Sequence, residues 1–195
     1  NAEVIDKNGN YVYTTNIPQS NDDLKKGLPN KTPFIHPSVM IRADIIKKIG
    51  CYPVTPVAQD LFLFNKMSGY GKYANILIPL IKYRLTPDAS SRRTNATQNQ
   101  IKKVLYQFII TGKLTEKQID IIKNSIIKND SNQMYNQYHL LLAKKYLWNN
   151  YLPHKSRENL KKCLSNQPFN VIIWLLYLLS FFPEKIIFII YNLKK

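Results

Sequence analysis

Residues 33–64 read PFIHPSVMIRADIIKKIGCYPVTPVAQDLFLF, and this stretch contains both kinds of local pattern that decide the fold of the first half of the chain. The short apolar run at 38–42 follows two prolines and predicts a strand. Residues 43–50 carry two lysines near their end and close on a glycine, which predicts a helix. Asp60 then stands alone before a second apolar run. This alternation of strand and helix signals is typical of an α/β fold.

The composition describes a folded and strongly basic protein. Of the 195 residues, 45% are hydrophobic, enough to bury a core in one large domain or two small ones. Lysine and arginine number 28 against 12 acidic residues, which gives a net charge of +16. The charge favours anionic partners such as phosphates, acidic lipid headgroups, acidic saccharides or nucleic acid, and it does not choose among them.

Only two cysteines are present, Cys51 and Cys163, which are too few for a disulfide framework or a cysteine metal site. We expect both thiols to be small buried hydrophobes, and we expect no metal ion on this chain. Because a chain without disulfides is typical of a reducing compartment, a cytoplasmic location is expected.

The composition changes near residue 97. Residues 1–97 hold most of the prolines and five of the six glycines, and Asn8-Gly9 between two apolar runs predicts a β-hairpin. Beyond this point the periodicity is helical, with Thr115 and Ser156 as predicted N-caps. The sequence therefore predicts an α/β part at 1–97 and an all-α tail of five or six short helices at 98–195. The helical spacing is followed by Ile101, Val104, Leu105, Phe108 and Ile109, then by Ile119, Ile122 and Ile126, then by Met134, Tyr138, Leu141, Leu142 and Lys145.

An almost wholly apolar run occupies residues 171–182 and is followed by Pro183. As a helix it would reach about 18 Å, which is short of the bilayer hydrocarbon thickness of about 30 Å. Two interpretations stay open. The run and the apolar segment after Pro183 form either a buried helix pair or an in-plane hairpin at an anionic membrane surface, with lysines at the headgroups.

The segments VIDKNGN, PFIHPSVMIRADIIKKIGCY and AQDLFLFNKMSGYGKYANILIPLIKYRLTPDASSRR together resemble the second half of the catalytic domain of bacterial family 2 glycosyltransferases. These are inverting enzymes of the GT-A fold that build surface polysaccharides. The resemblance covers about residues 1–95. It implies that 1–97 is the acceptor half of a GT-A domain, in an enzyme that moves a sugar from a nucleotide-sugar donor to a saccharide or lipid-linked acceptor.

The resemblance assigns the central role to an acidic pair that opens a helix, which here reads Gln59-Asp60. It implies that Asp60 is the general base that takes the proton from the acceptor hydroxyl. Gln59 stands where the family tends to have Glu, and it is implied to bind the acceptor. An N-cap role for Asp60 is the alternative, and the two roles are compatible.

Further acceptor-binding positions are implied by the strand-like segment before this pair. His36 and Ser38 would line the acceptor cleft, and Arg42 stands where a basic residue often follows. Local turn and strand bonding after Pro33 and Pro37 is the alternative interpretation of these side chains.

A donor-diphosphate loop is implied by the closing segment YRLTPDASSRR. Arg84, Ser90, Ser91 and Arg92 would donate hydrogen bonds to phosphate oxygens. Thr86 stands where the family frequently has histidine, so no metal ligand is assigned to this loop.

The family binds its donor through an N-terminal half that ends in an Asp-x-Asp motif, which holds Mg²⁺ or Mn²⁺ against the diphosphate. No segment of this sequence matches it, and Asn21-Asp22-Asp23 is interpreted as a solvated loop. We therefore expect the nucleotide sugar and the divalent cation to bind mainly outside this chain. The chain is expected to hold no cofactor and to be inactive alone.

The helical tail resembles the tetratricopeptide-like helix pairs that often follow this domain, with Ala143 and Pro168 at matching positions. No helix-turn-helix, zinc or RNP-like signature accompanies the basic charge, so a nucleic-acid partner is not expected. The alternative function is a basic membrane-surface or scaffold domain without catalysis. In either case an anionic membrane is an expected partner, at the inner face of the cell membrane.

Overall fold

The computed structural model describes residues 1–89, 94–96, 98–124 and 126–193. These residues form strands and helices in the chain order β1 (Ala2–Ile5), β2 (Tyr11–Thr14), α1 (Asn21–Gly27), α2 (Ala43–Lys48), α3 (Gln59–Met67), β3 (Ile81–Arg84), β4 (Thr94–Ala96), α4 (Gln98–Thr111), α5 (Glu116–Asn124), β5 (Ile126–Lys128), α6 (Ser131–Trp148), α7 (Pro153–Asn166), α8 (Val171–Leu179) and α9 (Glu184–Asn192). The mixed α/β content predicted from the sequence is confirmed at this level.

The chain divides into two compact units whose segments interleave. The first unit comprises Asn1, Asn16–Ile81 and Thr94–Lys128, and the second comprises Ala2–Thr15, Lys82–Arg93 and Asn129–Lys195. Neither unit is bounded at residue 97, where the composition changes. The assignment of 1–97 and 98–195 as a glycosyltransferase part and a helical tail stays a prediction.

The predicted hairpin opens the second unit. Strands β1 and β2 pair antiparallel, with Glu3 opposite Thr14, and a register shift falls between Val4 and Ile5. Gly9 in the turn has φ of 91°, a conformation that costs an L-residue about 1–2 kcal/mol. Strand β3 completes a sheet of order β2-β1-β3.

Helix α6 supplies the core of the second unit. It begins in a capping box, in which Asp130 accepts from the Gln133 N–H and the Gln133 side chain accepts from the Asp130 N–H. Its apolar face packs on the sheet in a cluster of Val4, Val12, Leu85, Tyr138, Leu142 and Tyr146. Its opposite face joins α7 and α8 through a second cluster of Ala143, Leu160, Cys163, Ile173 and Leu176.

The first unit is built around α3. One face of α3 packs on α4 and α5 in a cluster of Phe62, Val104, Leu105, Phe108 and Ile122. The Phe62 and Phe108 rings meet edge to face, with centroids 5.2 Å apart. The predicted Thr115 cap is confirmed, because Gln118 N–H donates to Thr115 Oγ1 at 3.3 Å. The other face of α3 contributes Leu63 and Phe64 to a cluster with Leu28 and Ile49.

The prediction of a strand at 38–42 is wrong, because these residues form no β-ladder. His36–Ser38 form a 3₁₀ turn with proline in the first turn, and no strand is assigned from there to α2 in this described stretch. The side chains of this segment nevertheless alternate between buried and exposed positions. Val39 and Ile41 pack on the Leu63 cluster, whereas Met40 is 99% exposed. The segment therefore keeps the period of a strand without a neighbouring strand to pair with.

Three further expectations about the tail and the cysteines are wrong. Ser156 is not an N-cap, because proline at Pro153 starts α7 earlier, and the Ser156 Oγ is buried without a hydrogen-bond partner among the described residues. Ile126 does not continue α5. It lies in β5, which pairs antiparallel with β4 and interrupts the predicted all-α tail. Cys51 is exposed, in a left-handed conformation after α2, whereas Cys163 is buried as expected.

Candidate functional site

The first unit contains a cavity of about 760 Å³. Helix α3 lines it with Phe64 and Met67, α2 lines it with Asp44 and Ile45, and the remaining wall comes from Asn1 and from residues within 34–42 and 70–81. Most of the lining is apolar, with a few polar groups at intervals. This is the usual construction of a small-molecule site.

An aromatic group fixes one wall of the cavity. The Phe34 ring lies 4.8 Å from Phe64 and 5.1 Å from Tyr73, measured between centroids. The Tyr73 hydroxyl donates to the Phe64 carbonyl at 2.6 Å, and burial raises the pKa of Tyr73 above its ordinary value. Tyr73 therefore stays protonated and structural across the physiological range.

Asn75 ties the cavity wall to two distant segments. Its side-chain Nδ2 donates to the carbonyls of Pro18 at 3.0 Å and Pro33 at 3.2 Å. No sequence pattern indicates Asn75 or Tyr73, because both bind partners that are distant along the chain and follow no local spacing. Only the run of tyrosine and glycine at 69–73 marks the segment as a turn.

A charged pair stands at the rim. Arg42 donates to both carboxylate oxygens of Asp44, from Nε at 3.1 Å and from Nη2 at 3.0 Å. The Arg42 hydrogen bond lowers the pKa of the Asp44 carboxyl, so the carboxylate is ionised near neutral pH. Both side chains are exposed, and a ligand could break or share this pair at small cost.

Asp60 lies in the first turn of α3 but is not its N-cap, which is Ala58. Its half-buried carboxylate is held on both oxygens. Leu61 N–H donates to Oδ1 at 2.9 Å, and Thr32 Oγ1 donates to Oδ2 at 3.3 Å. Asp60 does not belong to the residues that line the cavity.

A strained residue precedes the Gln59-Asp60 pair. Ala58 has φ of 58°, in the left-handed region that costs a residue with a Cβ about 1–2 kcal/mol. Such strain persists only where the surrounding structure holds it, and it is concentrated at functional sites. Ala58 packs against the Phe62 cluster, which provides that support.

The other residues implied by the resemblance fall in different places. Ser38 and Arg42 line the cavity, and Ser38 Oγ donates to the Ile35 carbonyl at 2.8 Å. His36 is exposed and its Nε2 lies 2.7 Å from the Tyr52 hydroxyl. Gln59 Nε2 donates to the Thr55 carbonyl at 2.8 Å. His36 and Gln59 are therefore engaged in local contacts outside the lining.

Of the residues implied to bind the donor diphosphate, Arg84 lies within the described ranges, and it is not among the residues that line the cavity. Arg84 belongs to the second unit, where Nη1 donates to the carbonyls of Asp6 at 3.3 Å and Lys7 at 3.1 Å and closes the β-hairpin. Ser90, Ser91 and Arg92 lie outside the described residues.

No three histidine, cysteine, aspartate or glutamate side chains of the described ranges come together in a group that could hold a metal ion. Within the same residues, no helix combines the length and apolarity that crossing a membrane requires.

The comparisons with known proteins give no further assignment. No protein-family model, no curated protein and no solved structure matches this chain.

Proposed function

We propose that this chain is the acceptor side of an inverting glycosyltransferase of family 2, with Asp60 as the general base. The observation that carries the proposal is the arrangement of α3. Asp60, Phe64 and Met67 are spaced i, i+4 and i+7, which puts them along one face of the helix. Phe64 and Met67 line the cavity, and Asp60 lies about one turn before Phe64, about 6 Å along the axis.

The chemistry asks for one carboxylate on the acceptor side. As the acceptor oxygen bonds to the anomeric carbon, its proton passes to the Asp60 carboxylate. The bond from the anomeric carbon to the diphosphate oxygen breaks, and the nucleoside diphosphate leaves with the electron pair. Each Asp60 oxygen already accepts one hydrogen bond and keeps a second lone-pair direction for this proton.

The cavity suits the acceptor in this proposal. Its apolar wall at Phe34, Phe64 and Tyr73 would contact the flat face of a sugar ring or the chain of a lipid-linked acceptor. Arg42 at the rim would bind hydroxyl or phosphate oxygens. The nucleotide sugar and its cation would be held by residues outside this chain, so the isolated chain would not catalyse transfer.

The proposal is tested by Asp60→Asn in the complete gene product, with release of nucleoside diphosphate as the readout. General-base catalysis typically supplies about 10²–10⁴-fold, so turnover is expected to fall by that factor while donor affinity is unchanged. Asp23→Asn is the matched control, because Asp23 also lies in the first turn of a helix, α1, away from the cavity lining. Turnover of Asp60→Asn within a few-fold of the parent would overturn the assignment.

A membrane-surface domain without catalysis is the second candidate. The observation that favours it is the exposed apolar surface of α8 and α9 in the second unit. This candidate would be supported if the complete gene product bound vesicles but transferred no sugar from any nucleotide-sugar donor.

A further inference from the structure

The second unit exposes a large apolar surface between residues 169 and 193. Phe169 is 92% exposed and Leu193 is 82% exposed, and most apolar side chains between them are also in contact with solvent. Soluble monomers rarely expose a contiguous apolar patch of more than a few hundred Å². We call this surface the apolar face. Its residues are Phe169, Val171, Ile172, Trp174, Leu175, Leu178, Phe181, Phe182, Ile186, Phe188, Ile189 and Leu193.

The apolar face rests on helices that are held in place. Ile173 and Leu176 of α8 and Ile187 of α9 are the inward side chains, and each is less than a tenth exposed. Asn170 caps α8 by accepting from the N–H groups of Ile172 and Ile173. Because one side of each helix is anchored in the second unit, the other side is presented outward.

Charge is almost absent from the sequence of the apolar face, whereas the sequence around it is basic. Between residues 169 and 193 the only charged side chains are Glu184 and Lys185. Residues 144–195 contain nine lysines and arginines against two glutamates. One of these cations stands at the turn between α8 and α9. Arg157 Nη1 donates to the Ser180 carbonyl at 2.8 Å, and its guanidinium lies 4.6 Å from the Phe181 ring centroid.

We propose that the apolar face inserts α8 and α9 in the plane of an anionic lipid bilayer, at the level of the headgroups and first acyl carbons. Each helix has nine residues, about 14 Å in length, against a hydrocarbon thickness of about 30 Å. Short helices with an apolar face and adjacent cations bind in this way, and the cations attract phosphatidylglycerol-type headgroups. Arg157 and Lys185 lie at the headgroup level.

This inference is independent of the proposed transfer reaction, since it concerns the second unit alone. The competing occupant is a second copy of the chain. The net charge of the surrounding segment argues against that occupant, because two such faces would bring like charges together, whereas an anionic surface neutralises them.

Vesicle co-sedimentation of the 195-residue chain tests the proposal. Phosphatidylcholine vesicles are compared with vesicles that also contain phosphatidylglycerol, at low and high salt. Leu175→Gln with Phe188→Gln removes two apolar contacts, and we expect at least about a tenfold loss of binding. The matched control is Val54→Gln with Ile110→Gln, two apolar side chains of the first unit that are 83% and 84% exposed. We expect this control to bind as the parent does.

Fluorescence quenching of the unmutated chain tests the same proposal and does not depend on whether the Leu175 and Phe188 variant folds. Trp174 is half exposed on the apolar face, and lipids brominated near the glycerol should quench its fluorescence. Trp174→Phe identifies its share of the signal. Absence of quenching, equal binding to neutral and anionic vesicles, or full binding by the Leu175 and Phe188 variant overturns the proposal. A dimer in vesicle-free solution that this variant converts to monomer also overturns it.

Discussion

His139 Nδ1 lies 2.7 Å from Asn159 Oδ1 in the interior of the second unit, where α6 meets α7. Because the Asn159 oxygen can only accept, Nδ1 carries the proton. The Asn159 amide nitrogen in turn donates to the Lys155 carbonyl at 2.8 Å, so the two side chains are oriented together. Burial lowers the pKa of His139, although the hydrogen bond to Asn159 opposes the shift.

The first prediction is a loss of stability in mild acid. A histidine whose pKa is lowered by folding is neutral in the native state, and the unfolded chain binds the proton first. Its stabilising effect is therefore complete above the ordinary value of 6.5 and is lost as the pH falls below it. Thermal unfolding should show a melting temperature that drops from pH 7 towards the folded pKa.

The control for this prediction is a histidine outside the buried pair. His139→Gln keeps a polar side chain without the titration, so its melting temperature should depend less on pH in this window. His154→Gln, at an exposed position of α7, should keep the pH dependence of the parent. If His139→Gln and the parent lose stability in parallel, another group governs the acid response.

The second prediction concerns the thiols. Cys51 is exposed, whereas Cys163 is buried and burial raises its pKa to about 11. Since the thiolate is the reactive form, a disulfide reagent at neutral pH should modify one thiol in the native chain and both after denaturation. Cys51→Ser should abolish the native reaction. Two fast thiols in the native chain would contradict the buried position of Cys163.

The third prediction tests the core of the first unit. Phe62 is fully buried between α3 and α4, so Phe62→Ala should lower the free energy of unfolding by about 3–5 kcal/mol. Phe169→Ala is the matched control, since its side chain is 92% exposed and its removal should change stability by less than about 0.5 kcal/mol. Denaturant titration of both variants measures the contrast, and equal losses would contradict the packing described for Phe62.

The fourth prediction follows from the proposed function. If the donor is held by residues outside this chain, calorimetry should detect only weak binding or none when UDP- or GDP-sugars are added to the 195-residue chain. The complete gene product serves as the positive control. Micromolar binding to the 195-residue chain would mean that a donor site lies within it, and would require a new assignment of Arg84 and its neighbours.

Sequence reasoning succeeded where the cause of a structure is local. The hairpin at Asn8-Gly9 follows from turn chemistry, and the buried face of Val104, Leu105 and Phe108 follows from helical spacing. It failed where contacts with distant parts of the chain determine the secondary structure. Val39 and Ile41 alternate like a strand but have no ladder, and Ile126 fits a helical pattern yet pairs with β4.

In the candidate site, too, features with a local cause could be predicted and contacts between distant segments could not. Ser38 and Arg42 line the cavity, and their implied acceptor-binding roles stay predictions. Asp60 lies in the first turn of α3, where the local pattern favoured a helix start, although Ala58 is the N-cap. The aromatic wall and the Asn75 ties could not be found in advance. They join segments up to 57 residues apart, and no spacing rule connects such positions.

Because the segments of the two units interleave, the second unit cannot complete its fold until α6 has been synthesised. The β-hairpin leaves the ribosome well before α6, and the Lys7 N–H donates to the Tyr138 hydroxyl 131 residues later. At translation rates of about 5–20 residues per second, the hairpin waits about 7–26 s for α6. During this interval Val4 and Val12 have no core to enter, and a strand edge stays open to other nascent chains. Chaperone capture of residues 1–15 would protect them until α6 emerges, and slower translation would prolong the interval in which they need it.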